Sequence, residues 1–512
     1  MDDTQRFAEL KERLPGIWSA LSRDPAFEHT SVIVPSLSVN QEELAKVTGA
    51  AYYEERLLFA LIRLRNPNAR VIYVTSQPVH PDIIDYYLDF LDNVPLRHAR
   101  ERLHVLSVLD AGLRPLTEKI LERPRFVRRL QRLIGDPQHA YLTCYNATAL
   151  ERRLAVELDI PLNGIDPALL HLGTKTGNRR IFAEAGVDYP AGSEDLRSEQ
   201  DIVDALIDLG RLKPQLARAV VKLNEGFGGE GNGVFTFPKR RDDPEAVRAN
   251  LMQLDRTSMS ESIASFLGKF DKMGGIAEEL VPGSEIRSPS VQMRISPGGV
   301  PEFVSSHEQV LGGATGQSYL GCSFPADDAY RQLLMQQAAK IAEVLATKGV
   351  IGRFGIDFLA TREPGSDWRA HAIEINLRMG GTTPPFHALE FLTGGHLDPE
   401  SGLFRCPNGR TKYYAATDNL KSSDYRGLLP EDLFEIIARR RLGFSHATGT
   451  GCLFHMIGAL SQYGKVGMVC IAENPADARR LFDQAIDVLD EETGGGSHGV
   501  QTPLLDRYLK ME

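Results

Sequence analysis

Two short runs, FGIDF at 354–358 and HAIEINLRMGG at 371–381, decide how the rest of the 512-residue chain is read. In an extended strand, residues i and i+2 share a face. Glu374, Asn376 and Arg378 therefore point one way, and Ile375 and Leu377 point into a core. Asp357 belongs to a neighbouring strand of matching pattern. Two carboxylates and an amide oxygen converging from adjacent strands form a hard-oxygen set suited to Mg2+ on nucleotide phosphates. By itself the E-x-N-x-R string also fits an ordinary amphipathic strand with a carboxylate–arginine pair; Asp357 on the matching strand favours the metal reading.

Upstream, the strand ARAVVKLN (217–224) carries Lys222 and runs into NEGFGGEGNGVF, which holds Gly226, Gly228, Gly229, Gly231 and Gly233. Glycines let a backbone turn through positive φ and bring N–H groups against an anion. The loop leads into GVFTF, a β-like run, so it is not the dinucleotide fingerprint that opens a helix, and it lacks the GK[ST] of a P-loop. A plain hairpin turn is the alternative; the neighbouring lysine favours a phosphate lid. Next, AEELVPGSE sets Glu278 and Glu279 before a Pro-Gly turn and Glu285 after it. Such an edge can offer backbone groups to adenine and a carboxylate to ribose hydroxyls, or it can simply be solvated. With SPSVQMRIS and EFVSSHEQV, the middle third reads as α+β with mostly antiparallel strands.

Further out, SVIVPS (31–36), RVIYVTS (70–76), LHVLSVL (103–109) and AYLTCYN (140–146) alternate with helical i, i+3, i+4 patterns. That order predicts a parallel sheet with crossover helices. Ser36, Ser76 and Asn146 end these strands, either at a ligand-binding carboxyl edge or as turn and cap residues. A polar stretch at 393–411 reads as a linker. Beyond it CLFHMIGAL and KVGMVCIA predict a hairpin, PADARRLFDQAIDVLDEET an amphipathic helix, and GGGSHGVQTPLLDRYLKME a flexible tail. The expected organisation is an α/β domain over 1–170, an α+β domain over 171–398 and a small α+β domain over 399–512.

Composition bounds the function. With 58 Lys+Arg against 68 Asp+Glu and a net charge of −10, a general nucleic-acid binder is excluded, since that needs a basic field. A hydrophobic content of 42% excludes wholesale disorder. The five cysteines are scattered without CxxC spacing, which fits a reducing compartment and neither a disulfide framework nor a zinc site. No signal peptide or membrane span is legible, so the expected location is cytoplasmic, away from membranes. His371 and His387 flank the metal strand without ligand spacing, and His307 in SSHEQVLGG is a substrate contact or a hydrogen-bonded structural residue.

In order along the chain stand Lys175, Lys222 with its glycine loop, E-E-L-V-P-G-S-E, D-F and E-I-N-x-R-x-G-G. This succession, over roughly 171–398, resembles the ATP-grasp superfamily. SVIVPSLSVNQEELAKVTGAAYYEERLLFAL looks like the Rossmann-like pre-ATP-grasp domain of pheganomycin-type peptide ligases, and HATGTGCLFHMIGAL with GKVGMVCIAENPADARRLF is similar to their C-terminal domain.

The resemblance implies an ATP-dependent carboxylate–amine ligase working through an acyl phosphate and releasing ADP and phosphate. Its partners would be a small carboxylic or amino acid and an amine or peptide N-terminus, with a homo-oligomer open. Lys175 and Lys222 would contact nucleotide phosphates, and Gly228, Gly229 and Gly231 would belong to the closing lid. Glu278 and Glu279 would flank adenine, partly through main chain, with Glu285 on ribose. Asp357, Glu374 and Asn376 would bind one or two Mg2+ ions, with Mn2+ as a substitute. Arg378, with amides near Gly380 and Gly381, would meet the transferring phosphate or the oxyanion. Many relatives carry a basic residue two positions before the first metal acid; here that place is Gly355, and Arg353 either substitutes as a catalytic arginine or is structural. The rival readings are a nucleotide-binding scaffold without turnover and a phosphotransferase acting on a non-carboxylate acceptor.

Overall fold

The computed structural model describes residues 3–39, 41–226, 231–255, 262–312 and 318–494. The β-branched runs of the first third form β1 (His29–Val34), β2 (Ala69–Thr75), β3 (Leu103–Ser107) and β4 (Ala140–Cys144). They pair in parallel in the order β3-β2-β1-β4. Every residue of β1 and of β4 is buried, as a parallel sheet covered on both faces requires. The helix Ala149–Leu158 starts on a capping box between Thr148 and Glu151. Ser36, Ser76 and Asn146 do lie beyond strand ends, yet each is engaged within the fold: Ser36 with Ser38, Ser76 with Glu54, and Asn146 with the main chain of Ser38.

A second, antiparallel sheet runs β5-β8-β6-β7, from β5 (Gly192–Leu196), β6 (Arg218–Leu223), β7 (Asn232–Thr236) and β8 (Gly275–Glu279). One face carries Ala219, Val221, Phe235 and Ala277 and packs on Ile202, Val247 and Phe266 of three helices. The opposite face presents Lys222 and Glu278.

The third sheet has eleven strands, and all its pairings are antiparallel. It comprises β9 (Glu285–Arg287), β10 (Pro289–Ile295), β11 (Pro301–Gly312), β12 (Ser318–Phe324), β13 (Gly352–Arg362), β14 (Arg369–Asn376), β15 (His396–Leu397), β16 (Phe404–Arg405), β17 (Thr411–Lys421), β18 (Gly451–His455) and β19 (Lys465–Ala472). Its path is β14-β13-β10-β11-β12-β17-β16-β15, with β9 on β13 and the β18–β19 hairpin on β17. Val291, Ile356, Ile375 and Leu377 form the apolar face, packed by helices Lys175–Ala185 and Arg331–Thr347. The alternate residues face a cleft.

The segment read as a linker instead supplies β15 and β16, a hairpin joined to the sheet at β17. Glycine, proline and polar residues mark a tight hairpin and a linker alike, and only the pairing partner separates them. No helix among the described residues is long and apolar enough to cross a membrane.

Candidate active site

β13 and β14 run antiparallel with Asp357 directly opposite Glu374. Asn376 Nδ2 donates to Asp357 Oδ2 at 2.9 Å, and Arg378 Nη2 donates to Asn376 Oδ1 at 3.1 Å. A residue the motif reading missed completes the group: Gln309 of β11 donates to Asp357 Oδ1 at 2.7 Å. Lys175, the first residue of the helix Lys175–Ala185, forms an ion pair with Glu374. Lys222 comes from the second sheet and bonds Glu278 Oε1 at 2.5 Å, close enough to Glu374 to favour its charge.

Burial first, and Glu374 second, push the Asp357 carboxyl up to about 6. Burial also works against a charge on Glu374, but Lys175, Arg378 and Lys222 outweigh it and hold that carboxyl below its usual range. Two half-buried carboxylates face one another, and burial with their repulsion leaves Asp357 reluctant to ionise. A divalent cation would relieve that repulsion, and with the Asn376 oxygen the donors are all hard oxygens, so the residues fit Mg2+.

Gly355 has its own explanation. A Cβ built there would sit 2.8 Å from Gln292 Nε2, so a side chain beside Asn376 would require the Gln292 amide to move. Arg353 does not take its place. It is four residues from Asp357 on the same strand, about 13 Å at 3.3 Å per residue, and pairs across from Arg294.

Other expectations separate in the same way. Glu278 and Glu279 are successive strand residues and point to opposite faces, so their side chains cannot both flank one base. Glu278 is buried on the cleft side, with Arg179 at 3.2 Å. Glu279 takes Lys213 at 2.5–2.6 Å and the Ala191 amide at 2.9 Å. Glu285 binds Arg362 through both oxygens at 2.7 and 2.9 Å. Gly231 has φ +84, which a glycine tolerates, while Gly228 and Gly229 lie outside the described residues. The Gly380 amide donates to Thr383 Oγ1 at 3.0 Å and is not available to an oxyanion.

His307 is fully buried. It lies in register with Ser290 and Asp357 across the sheet, but Tyr414 covers it, with the hydroxyl 2.6 Å from Nε2. Burial pulls its imidazole down to about 3. It is a structural residue, and Cys322 is likewise packed.

Beside Arg378 opens a cavity of about 500 Å3, between the carboxyl end of β4 and strands β10 and β13. Tyr145, Asn146, Arg63, Arg294 and Arg353 line it together with Arg378. No motif marks this cavity, because its wall joins residues some three hundred positions apart.

A small antiparallel sheet and a larger one, meeting around lysines and facing acids behind a parallel N-terminal sheet, define the ATP-grasp architecture. Family models agree: the IQCH-like ATP-grasp domain matches 167–237 and 237–400, the pre-ATP-grasp domain 72–160, and the PGM1 C-terminal domain 432–484. Among solved structures, the biotin carboxylase domain of Hydrogenobacter thermophilus 2-oxoglutarate carboxylase with MgADP superposes with a TM-score of 0.54 at 12% identity, covering 90% of this chain and 89% of that one. The Campylobacter jejuni biotin carboxylase–beta-gamma-ATP complex gives 0.52 at 13%, covering 90% and 91%. L-propargylglycine–L-glutamate ligase of Streptantibioticus cattleyicolor is 31% identical over 458 residues, 88% of this chain and 92% of that protein. IQ motif-containing protein H of Danio rerio is 23% identical over 95% of this chain, which spans half the length of that relative. The chain belongs to the ATP-grasp family, in the branch that holds the Streptantibioticus ligase.

Proposed function

We propose that the protein is an ATP-dependent ligase that joins a carboxylic acid to an amine through an acyl phosphate, releasing ADP and phosphate. One observation carries this reading: Lys175 and Lys222 share a charge cluster with Asp357, Glu374, Asn376 and Arg378, and Arg378 opens onto a cavity of substrate size. The Streptantibioticus relative is named for two amino acids, one of them the dicarboxylic L-glutamate. That supports a small carboxylic or amino acid and an amino acid or peptide N-terminus as partners here. In this reading residues 1–170, 171–398 and 399–512 are the three functional units, and the five free, buried cysteines fit a cytoplasmic site of action.

Lys175 and Lys222 would bind the triphosphate, with the loop through Gly228, Gly229 and Gly231 over it and the β8 edge at Glu278 beside adenine. Asp357, Glu374 and Asn376 would hold Mg2+, which when bound offsets the charge spread over the phosphoryl oxygens. The acid's carboxylate oxygen attacks the γ-phosphorus and ADP leaves. The amine nitrogen then attacks the acyl carbon, the carbon–oxygen bond to phosphate breaks, and phosphate departs. Arg378 would stabilise the oxyanion of that second step. No enzyme nucleophile is required. The test is to incubate the protein with Mg·ATP and pooled amino acids and analyse the mixture by mass spectrometry. ADP, phosphate and a product lighter than the summed partners by one water are expected; AMP and pyrophosphate without ADP would overturn the scheme.

A further inference from the structure

The cavity beside Arg378 is lined by Arg63, Arg65, Arg294, Arg353 and Arg378, and its lining holds a single carboxylate, Glu390. Glu390 is engaged by His387 Nδ1 at 2.6 Å. Arg294 is paired with Glu302 and lies over Trp18. Arg63 donates to Ser31 and Thr143 hydroxyls, and Arg65 to the Phe391 carbonyl at 2.6 Å. Arg353 forms neither a hydrogen bond nor an ion pair within 4 Å among the described residues. Arg63, Arg65 and Arg353 thus face one half-open cavity with no ion pair of their own among the described residues, and Glu390 and Glu302 act on Arg353 only from beyond contact distance.

A half-buried guanidinium with no hydrogen-bonded acceptor is left short of partners, and its fork of N–H donors matches a carboxylate in shape and charge. Burial drags the Arg353 guanidinium down to about 10; Glu390 and Glu302 oppose that fall, and Arg294 and Arg63 add to it. The reacting carboxylate belongs at the acids and Arg378, whereas Arg353 sits about 13 Å further along β13 by strand rise. The cavity is also larger than one reacting group needs.

We infer that Arg353, flanked by Arg63, is a specificity-determining residue that binds a second, non-reacting carboxylate of a substrate. This rests on the ligase reading of the site. The carboxylate can be carried by the acid partner, making it a dicarboxylic acid or amino diacid, or by the amine partner as the α-carboxylate of an amino acid.

Two measurements test it. Glutarate and its monoamide are titrated calorimetrically into the full chain in Mg·ADP. Glutarate is expected to bind at least tenfold more tightly than the monoamide, and Arg353→Met to erase that preference. Equal binding of the two, or a preference that survives in Arg353→Met, overturns the assignment whether or not the protein is a ligase. In the turnover assay, each partner is then replaced by the amide of its non-reacting carboxylate. KM should rise about a hundredfold for one of them, as when a buried charge loses its partner, and that partner is the source of the carboxylate. Amide products formed equally well from both replacements overturn the inference and leave the ligase reading standing; no amide product from any pair, with glutarate preference intact, counts against the ligase reading alone. Should Arg353→Met lack the Mg·ADP thermal shift of a folded protein, Arg353→Lys replaces it. The lysine keeps the charge without the fork and is expected to show an intermediate preference.

Discussion

Glu374→Gln removes one negative charge from the centre of the site and changes almost nothing in shape. Around Glu374 stand Lys175, Arg378 and Lys222, with Asp357 as the facing carboxylate. The glutamine oxygen can still accept from Lys175, so the melting temperature should move by no more than about 4 °C, the scale of 1 kcal/mol in a large domain. Losing one of two carboxylate donors should lower turnover about 10²–10³-fold, or about 2.7–4 kcal/mol at the transition state. The Mg2+ concentration for half-activation should rise about 10–100-fold. Metal-free ADP should respond in the opposite sense, because the cluster gains a net positive charge: its affinity should match or exceed that of the unaltered protein. The assays are ADP release titrated with Mg2+, and calorimetric ADP binding in chelator. An unchanged Mg2+ midpoint would show that the metal lies elsewhere. Weaker metal-free ADP binding would show instead that Glu374 serves to tether Lys175.

Lys222→Met removes the partner of Glu278 while leaving Glu278 its contact with Arg179; KM for ATP is expected to rise about 10–100-fold with the acid's KM little changed, and an unaltered ATP dependence in initial-rate measurements would demote Lys222 to a structural role. His307→Phe probes a buried neutral imidazole. Its folded value near 3 lies below the unfolded value near 6.5, so the unfolded chain takes up a proton first, and stability present above pH 6.5 is lost as pH falls toward 3. The phenylalanine variant lacks this loss, which approaches about 1.4 kcal/mol per pH unit below the unfolded value. Its melting temperature should therefore gain on the unaltered protein between pH 7 and pH 5; parallel curves would mean that His307 is protonated or exposed.

The metal strand was legible because two periodicities coincided. Alternation in HAIEINLRM separated Ile375 and Leu377 from Glu374, Asn376 and Arg378, and the structure divides them the same way. The parallel first sheet was legible for a similar reason, since its buried strands leave unbroken apolar runs. Gln309 and the arginine cavity were not. Gln309 reaches Asp357 across the intervening β10, and the pairing of β11, β10 and β13 that sets this register is a long-range choice that local composition does not encode. His307 stood on the correct face, yet the residue that covers it, Tyr414, arrives from a strand over a hundred positions later. For Glu278 and Glu279 the alternation rule was already sufficient to send their side chains apart.

The pairing of β12 with β17 joins the C-terminal strands to the same ladder that carries the metal acids. Strands β17 to β19 are thus no detachable appendage. Excising them would leave β12 with a bare rim of amides and carbonyls, an open invitation to association with other molecules. Dispensing with those strands would require some other element to seal that seam.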